Sequence, residues 1–430
     1  MGTIFQIVLI LYICTVLFVL WARREFFSSG TYIAVGVCIP LILYLLKWSD
    51  WITDEPCGEF YLIFISLFLC SAFSMLVQGK RLEMAGHIYL KRNDAWIYGL
   101  NAFWIVSVLL ENYIGTGYFF PALNGVDMHT NQVPLLLYIT RAKYVIIAVD
   151  VICYFVKHRK RYLLMGLIHI LLPIISASSR MVATVALIQA VSLFIFLWAN
   201  GYGARSVLKP KRKLRGKHIA VIIGLVVVAV VFLVRMGIYR MNHYGKYAVL
   251  YSQGIRYTGP FGEIGAWLYG YFALAFDNLN MSIIAGRENP NYIGIFSFPS
   301  FYYGILQFDN LIGLPNHFAQ KSCEFNIPAA IVPTGFWSFY YDYGILCFIP
   351  IVASFVQEFF LRRKAAMSAN QIVWIALYFH FIPQWIFMNF VNTVFDVTLL
   401  DTAIIGYVVF RWLFGSMQIR EIRRVVIVEE

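Results

Sequence analysis

Long apolar runs alternate with short polar connections along almost the whole chain. A membrane-spanning helix needs about 20 mainly apolar residues. The runs cover residues 3–22, 30–47, 58–78, 96–115, 134–156, 162–176, 181–200, 219–237, 336–360, 372–390 and 396–415. This pattern predicts an all-α polytopic membrane protein with a single integral membrane domain over residues 1–430. The first run has no small-residue cleavage site, so we predict a retained helix.

Lys and Arg residues gather after every second apolar run. The basic clusters lie at residues 23–24, 80–92, 157–161, 205–217, 362–364 and 420–424, and the other connections are acidic or nearly neutral. Membrane proteins keep basic connections on the cytoplasmic side. The charge order therefore predicts a multi-pass chain with its N-terminus outside and its C-terminus in the cytoplasm.

Composition excludes the main soluble alternatives. The 430 residues are 60% hydrophobic and 13% charged, with mean hydropathy +0.71, whereas soluble domains are about 25% charged. A net charge of +12 is also found in nucleic-acid-binding proteins. Here the positive charges lie in short clusters between apolar runs, so we predict no nucleic-acid partner.

One long connection, residues 238–334, is predicted outside the cell. It contains two further apolar stretches at about 264–285 and 292–312, and both must span or neither, because residues 362–364 must still lie inside. The chain would then have eleven or thirteen spanning helices. A loop of this length is uncommon without structure of its own, so we expect this external excursion to be folded.

Four cations and no carboxylate lie in the segment from Arg235 to Gly262, at the start of the excursion. These cations are Arg235, Arg240, Lys246 and Arg256, and tyrosines that include Tyr251 and Tyr257 are interleaved with them. External cations go against the usual charge order and indicate an anionic partner with a phosphate group. The tyrosines would stack on sugar rings or anchor the segment at the interface.

Arg180 is a second candidate for anion binding. It follows the serine-rich turn from Ser176 to Ser179 and opens an apolar run. A helix N-terminus favours anions, and a guanidinium binds phosphate in bidentate fashion. The alternative is an arginine whose side chain reaches the interface from a membrane helix.

Four residues are candidate general bases: His243, Asp277, His317 and Asp342. A base works best with a pKa near ambient pH, and His243 is favoured because it lies within the cationic segment. Each histidine could equally be an ordinary loop residue.

The chain has no D-x-D or E-x-D carboxylate pair, so we predict no metal and no other cofactor. Cys57 and Cys323 both fall in predicted external segments and would form one disulfide.

Three stretches resemble bacterial O-antigen and capsule repeat-unit polymerases of the Wzy type. The first is the Ser-x-Ser-Arg turn that ends at Arg180. The second runs from Arg240 to Asn278 and includes Tyr269-Gly270-Tyr271 and Phe276-Asp277-Asn278. The third runs from Asn326 to Gly344 and includes Pro333-Thr334 and Tyr341-Asp342-Tyr343-Gly344. They occur in the family's order and cover about half of the chain.

The resemblance implies a metal-independent glycosyltransferase of the lipid-linked class in the bacterial cytoplasmic (inner) membrane, with an architecture like that of O-antigen ligases and other GT-C enzymes. It would transfer a growing glycan from undecaprenyl pyrophosphate to the non-reducing end of a new undecaprenyl-pyrophosphate-linked repeat unit, at the external face. In this interpretation His243, Asp277 and Asp342 are catalytic. Arg180, Arg235, Arg240 and Arg256 bind pyrophosphate, and Tyr251 and Tyr257 bind sugar. The implied partners are the lipid-linked oligosaccharide, a chain-length regulator and a flippase.

Three other functions stay open. A flippase for lipid-linked oligosaccharides would need an internal repeat and a central polar path, and no repeat is visible. An O-antigen ligase-like transferase would share the fold. A membrane acyltransferase would need a His paired with an Asp, and His169 and His380 have no such partner nearby in the sequence.

Overall fold

The fold is known from a computed structural model. It describes residues 1–23, 25–50, 52, 54–78, 82–84, 86–124, 136, 139–140, 142–177, 180–200, 257–285, 294–298, 334–389 and 397–418. The prediction of a mostly helical chain is confirmed.

The helices follow one another with short connections wherever the chain is described. They are α1 (Gly2–Phe18), α2 (Ser29–Ile33), α3 (Ile39–Leu45), α4 (Gly58–Val77), α5 (Asp94–Thr116), α6 (Lys143–Lys157), α7 (Lys160–Ala177), α8 (Arg180–Ala199), α9 (Gly262–Ile284), α10 (Phe336–Tyr343), α11 (Phe348–Met367), α12 (Gln371–Phe381) and α13 (Val397–Leu413). Two π-helical turns, Val19–Arg23 and Ala34–Cys38, continue α1 and join α2 to α3. Short 3₁₀ helices lie at Pro121–Asn124, Gly344–Cys347 and Ile382–Asn389.

Several of these helices have the length and composition of membrane spans. Within the described part of the chain, five qualify: Gly2–Arg23, Gly58–Val77, Asp94–Thr116, Phe336–Met367 and Gln371–Asn389. Ser29–Leu45, Ala183–Ala199 and Thr402–Leu413 are shorter apolar helices. Helix α9 has 23 residues but is not among the five, although it covers the predicted apolar stretch 264–285.

The chain forms two compact units, each built from separate stretches of sequence. Unit 1 comprises Met1–Lys80, Leu214–Val356 and Gln384–Val397, and unit 2 comprises Arg81–Lys213, Gln357–Pro383 and Thr398–Glu430.

In unit 1, α1 packs against α4 through aromatic and small residues. The Tyr12 ring stacks on Phe68 with 4.7 Å between centroids, and its hydroxyl donates to the Gly30 carbonyl at 2.9 Å. A Cβ on Gly36 would lie 2.3 Å from the Ile386 Cα. Close backbone approach and buried hydrogen bonds are the main means of joining helices in lipid, where apolar burial gives little driving force.

In unit 2, α6, α7 and α8 pack on one another, and a two-stranded sheet lies beside them. Strands β1 (Gly86–Leu90) and β2 (Phe414–Gln418) pair antiparallel, with Gly86 opposite Gln418 and Leu90 opposite Phe414. This short sheet is a minor addition to the mostly helical fold, and the last helix ends at Leu413, two residues before the end of the predicted apolar run.

Candidate functional site

Four of the nine predicted site residues belong to the described part of the chain. Tyr257, Asp277 and Asp342 lie in unit 1, whereas Arg180 opens α8 in unit 2. The preceding helix α7 ends at Ala177, and Ser178 and Ser179 of the predicted connection lie outside the described residues. The other predicted site residues, His243, Arg235, Arg240, Arg256 and Tyr251, lie outside the described residues, as do His317 and Cys323.

Asp342 is completely buried near the end of α10 and holds a turn formed by residues 294–298. Its carboxylate accepts hydrogen bonds from the backbone N–H of Phe296, at 3.1 Å, and from that of Ser297. The Ser297 hydroxyl donates to the Ser338 carbonyl at 3.3 Å. Because an ionised acceptor forms stronger hydrogen bonds than a neutral one, Asp342 fixes this docked turn on α10.

Aromatic residues around Asp342 also hold the turn of residues 294–298 against α10. The ring of Phe296 lies 4.4 Å from that of Tyr341 and 5.9 Å from that of Trp337, both edge-on. Gly294 has φ +77°, and a Cβ there would lie 2.6 Å from the Tyr343 hydroxyl. Glycine is needed at such a position because it has no side chain to clash and tolerates positive φ.

Gly344 explains why the helix stops after this motif. It has φ +56° and ψ −128°, a conformation that residues with a side chain rarely adopt. The stretch Tyr341-Asp342-Tyr343-Gly344 therefore acts locally as one unit. Two of its aromatic residues face the docked turn, the carboxylate binds the turn's backbone, and the glycine ends α10.

Asp277 is completely buried within α9. The neighbouring Phe276 packs against Phe60 and Phe64 of α4, with centroid distances of 6.4 and 5.4 Å. A carboxyl group in such apolar surroundings is costly and is usually found at a functional position.

Tyr257 joins the start of α9 to the segment that follows α3. It forms an isolated β-bridge with Ser49, and its ring lies 5.5 Å from that of Tyr269. Its hydroxyl donates to the Pro260 carbonyl at 3.0 Å, and partial burial raises its pKa. The phenol therefore stays protonated, while one side of the ring packs against protein.

Two further polar contacts fix the same region. The backbone N–H of Trp48 donates to the Tyr269 hydroxyl at 3.0 Å, and that of Thr258 donates to the Trp48 carbonyl at 2.7 Å. These bonds connect two segments that the charge order places outside. The bonds give partners to the backbone N–H groups of Trp48 and Thr258, which lie outside helices. A buried backbone N–H group without a partner is costly.

Sequence reasoning missed Asn280 and Glu59. Asn280 is completely buried in α9, accepts from the Cys57 N–H at 2.9 Å and donates to the Glu55 carbonyl at 3.1 Å. Glu59, in the first turn of α4, accepts a hydrogen bond from the Tyr340 hydroxyl of α10. The available signal was a run of polar residues, Asp277, Asn278 and Asn280, inside an otherwise apolar stretch.

Unit 1 thus brings together the helices of two of the three family-like stretches. Helix α9 packs against α10 and α4, and α9 and α10 each carry one completely buried carboxyl group, Asp277 and Asp342. Asp342 is engaged with the docked turn. In the described part of the chain, no group of three His, Cys, Asp or Glu side chains is placed to hold a metal ion.

The tertiary structure gives His169 an acidic neighbour, Asp150, that is not near it in the sequence. In unit 2, its Nε2 contacts Asn101 Oδ1 and lies 3.7 Å from Asp150 Oδ2. All three residues are buried, and Asn101 Nδ2 donates to Asp150 Oδ1 at 3.1 Å. This network of buried polar side chains links α5, α6 and α7.

His380 has partners on two neighbouring helices of unit 2. Its Nε2 lies 2.5 Å from Thr402 Oγ1, and Gln189 Nε2 donates to the His380 carbonyl at 2.8 Å. A cavity of about 20 Å³ lies beside these three residues, which is room for a single water molecule.

In comparisons with known proteins, no family model matches the chain, and no curated protein or solved structure matches it.

Proposed function

We propose that the protein polymerises lipid-linked oligosaccharide repeat units at the external face of the membrane. The observation that supports this proposal best is in unit 1. The helices of the second and third family-like stretches, α9 and α10, pack together, and each carries a completely buried carboxyl group.

The chemistry needs two kinds of group. The acceptor sugar hydroxyl attacks the anomeric carbon of the donor glycan, and the bond from that carbon to the pyrophosphate oxygen breaks. The proton of the hydroxyl passes to a base, and the leaving pyrophosphate gains negative charge. Stabilisation of such developing charge by fixed donors is usually the largest catalytic contribution.

We assign the candidate residues to these tasks as follows. Both oxygens of Asp342 already accept backbone hydrogen bonds, so this residue positions the docked turn. Asp277, completely buried within α9, is the candidate base in the described part of the chain, with His243 as the other candidate. Arg180, Arg235, Arg240 and Arg256 would hold the pyrophosphate groups, and Tyr251 and Tyr257 the sugars.

The decisive experiment supplies the purified protein with the undecaprenyl-pyrophosphate-linked repeat unit of its own host. Chain growth without nucleotide or added metal is the expected result. An absence of growth together with movement of the lipid between leaflets would instead identify a flippase. Glycan transfer to a lipid A core instead of to a second repeat unit would identify a ligase-like transferase.

Variants test the assigned residues within that assay. Asp277→Asn should lower the rate at least 100-fold if this residue is a general base, since such catalysis contributes about 10²–10⁴-fold. Ser282→Ala is the matched control on the same helix. It removes a hydroxyl that donates to the Asn278 carbonyl at 2.7 Å, and the variant should polymerise normally. Arg180→Ala and Arg240→Ala should abolish polymer without loss of membrane insertion.

A further inference from the structure

A strongly basic cluster lies in unit 2, where α5 begins and where α6 and α13 end. The stretches 91–98, 157–162 and 407–413 together contain seven Lys or Arg residues and a single carboxylate, that of Asp94. Basic residues next to membrane helices are expected from topology alone. The arrangement of three of them around Asp94 goes beyond that expectation.

Three cations converge on the carboxylate of Asp94. Lys157 Nζ lies 3.3 Å from Oδ1, Arg159 Nη1 lies 3.0 Å from Oδ2 and Arg161 Nη2 lies 2.8 Å from Oδ2. One negative charge faces three positive ones, so an excess of two positive charges stays at this point. The side chains of the three cations are 37%, 54% and 44% exposed, so a ligand in solvent or at a membrane surface can reach them.

Local backbone and aromatic contacts hold the cations in place. His158 follows α6 with φ +55°, and α7 begins two residues later at Lys160. The basic residues of this short connection are therefore close to one another. The guanidinium of Arg161 lies over the rings of Tyr98 and Tyr162, at 4.8 and 5.5 Å from their centroids. A guanidinium has five N–H donors, and the contact with Asp94 uses one N–H of Arg161.

Two tryptophans place the cluster at the level of lipid headgroups. The rings of Trp96 and Trp412 meet edge-on at 5.1 Å, and the Arg92 guanidinium lies 5.4 Å from the Trp412 ring centroid. Trp96 is 54% exposed. It lies in the first turn of the candidate span Asp94–Thr116, and Trp412 lies next to the end of the apolar helix Thr402–Leu413. Tryptophan is enriched where membrane meets water.

We propose that Lys157, Arg159 and Arg161, held together by Asp94, bind the phosphate of an anionic phospholipid headgroup. Guanidinium groups match the geometry of phosphate oxygens, and basic pockets between membrane helices recognise anionic headgroups. The adjoining tryptophans favour a lipid over a soluble phosphate. This site is independent of the function proposed for unit 1.

Native mass spectrometry of the purified protein tests the site, with phosphatidylglycerol and phosphatidylcholine of identical acyl chains supplied in equal amounts. The wild-type protein should retain phosphatidylglycerol preferentially. Arg159→Gln/Arg161→Gln should weaken that binding about 25-fold, because each basic residue near an anionic surface contributes about 1 kcal/mol, or fivefold. Arg363→Gln/Lys364→Gln is the matched control. It removes two exposed cations predicted on the same membrane side and should retain the lipid.

The Asp94→Asn variant distinguishes a specific site, whose cations Asp94 holds together, from unspecific electrostatic attraction of anionic lipid. Removal of a negative charge strengthens any unspecific attraction for anionic lipid. In the proposed site it should weaken binding, because the arginines lose the group that holds them together. Thermal unfolding of each variant confirms that it is folded.

Three results would overturn the proposal. The first is a wild-type protein with no preference for phosphatidylglycerol, and the second is equal loss in both double variants. The third is binding by a folded Asp94→Asn protein that is as tight as in the wild type or tighter. Displacement of the lipid by millimolar inorganic phosphate would assign the site to soluble phosphate, which also contradicts the lipid proposal.

Discussion

Replacement of Asp342 by Asn should release the docked turn formed by residues 294–298. The carboxylate accepts from two backbone N–H groups, those of Phe296 and Ser297. An Asn side chain has nearly the same shape but only one accepting oxygen, and its NH₂ group would face the second N–H. The variant therefore loses at least one of the two contacts and leaves a buried donor without an acceptor.

The size of the effect follows from the type of bond. A hydrogen bond to a charged group contributes about 1.5–3 kcal/mol. A loss of that size corresponds to a factor of about 10–150 in the equilibrium between the docked and the open turn. Hydrogen–deuterium exchange followed by mass spectrometry, on a peptide that covers residues 294–298, measures this equilibrium directly. Exchange of the Phe296 or Ser297 amide should accelerate by that factor.

Ser297→Ala is the matched control for this experiment. It removes the hydroxyl that donates to the Ser338 carbonyl but leaves both backbone N–H groups on Asp342, so exchange should stay within a few-fold of the wild type. Unchanged exchange in Asp342→Asn would refute the assignment of Asp342 as the brace of the turn. Equal acceleration in both variants would show instead that the serine hydroxyl holds the turn.

Two further predictions concern the segment before α4. Asn280→Ala removes both side-chain bonds to the backbone of Glu55 and Cys57, so the free energy of unfolding should fall by about 1–3 kcal/mol. An unchanged midpoint of unfolding in detergent would contradict this bridge. In reduced protein, the Cys57 thiol should react slowly with a membrane-impermeant maleimide, because burial raises its pKa above the ordinary value of 9.0. Its thiolate fraction, and with it the rate, should still rise about tenfold per pH unit from pH 7 to 9. A rate that levels off below pH 9 would show a lowered pKa, and no labelling of intact cells would contradict the external location.

The helices that could be predicted best from the sequence are those whose formation depends on local amino-acid composition. Apolar length alone indicated the candidate spans at the first, third and fourth runs, because a helix in lipid must satisfy its backbone internally and present apolar side chains. The start of α8 at Arg180 was predicted for a similar reason. The serine-rich turn before it breaks one apolar run from the next.

Contacts between distant residues were decided by the tertiary structure. The antiparallel strands β1 and β2 lie more than 300 residues apart, and neither has a strand pattern that stands out from its surroundings. The same holds for His169. Its partners Asn101 and Asp150 come from two other helices, so a search for a nearby carboxylate in the sequence could not find them.

Asp342 shows the division between the two sources of information most clearly. Its sequence context marked it as unusual, since an acidic residue at the start of an apolar run needs a physical reason. The sequence by itself thus determined that the chain is mostly helical, that it has apolar segments long enough to span a membrane, and which polar residues within them are exceptional. Only the tertiary structure decided what those residues contact. For Asp342 the partners are two backbone N–H groups from a turn more than 40 residues away, and such a pairing depends on how the chain packs rather than on any local preference.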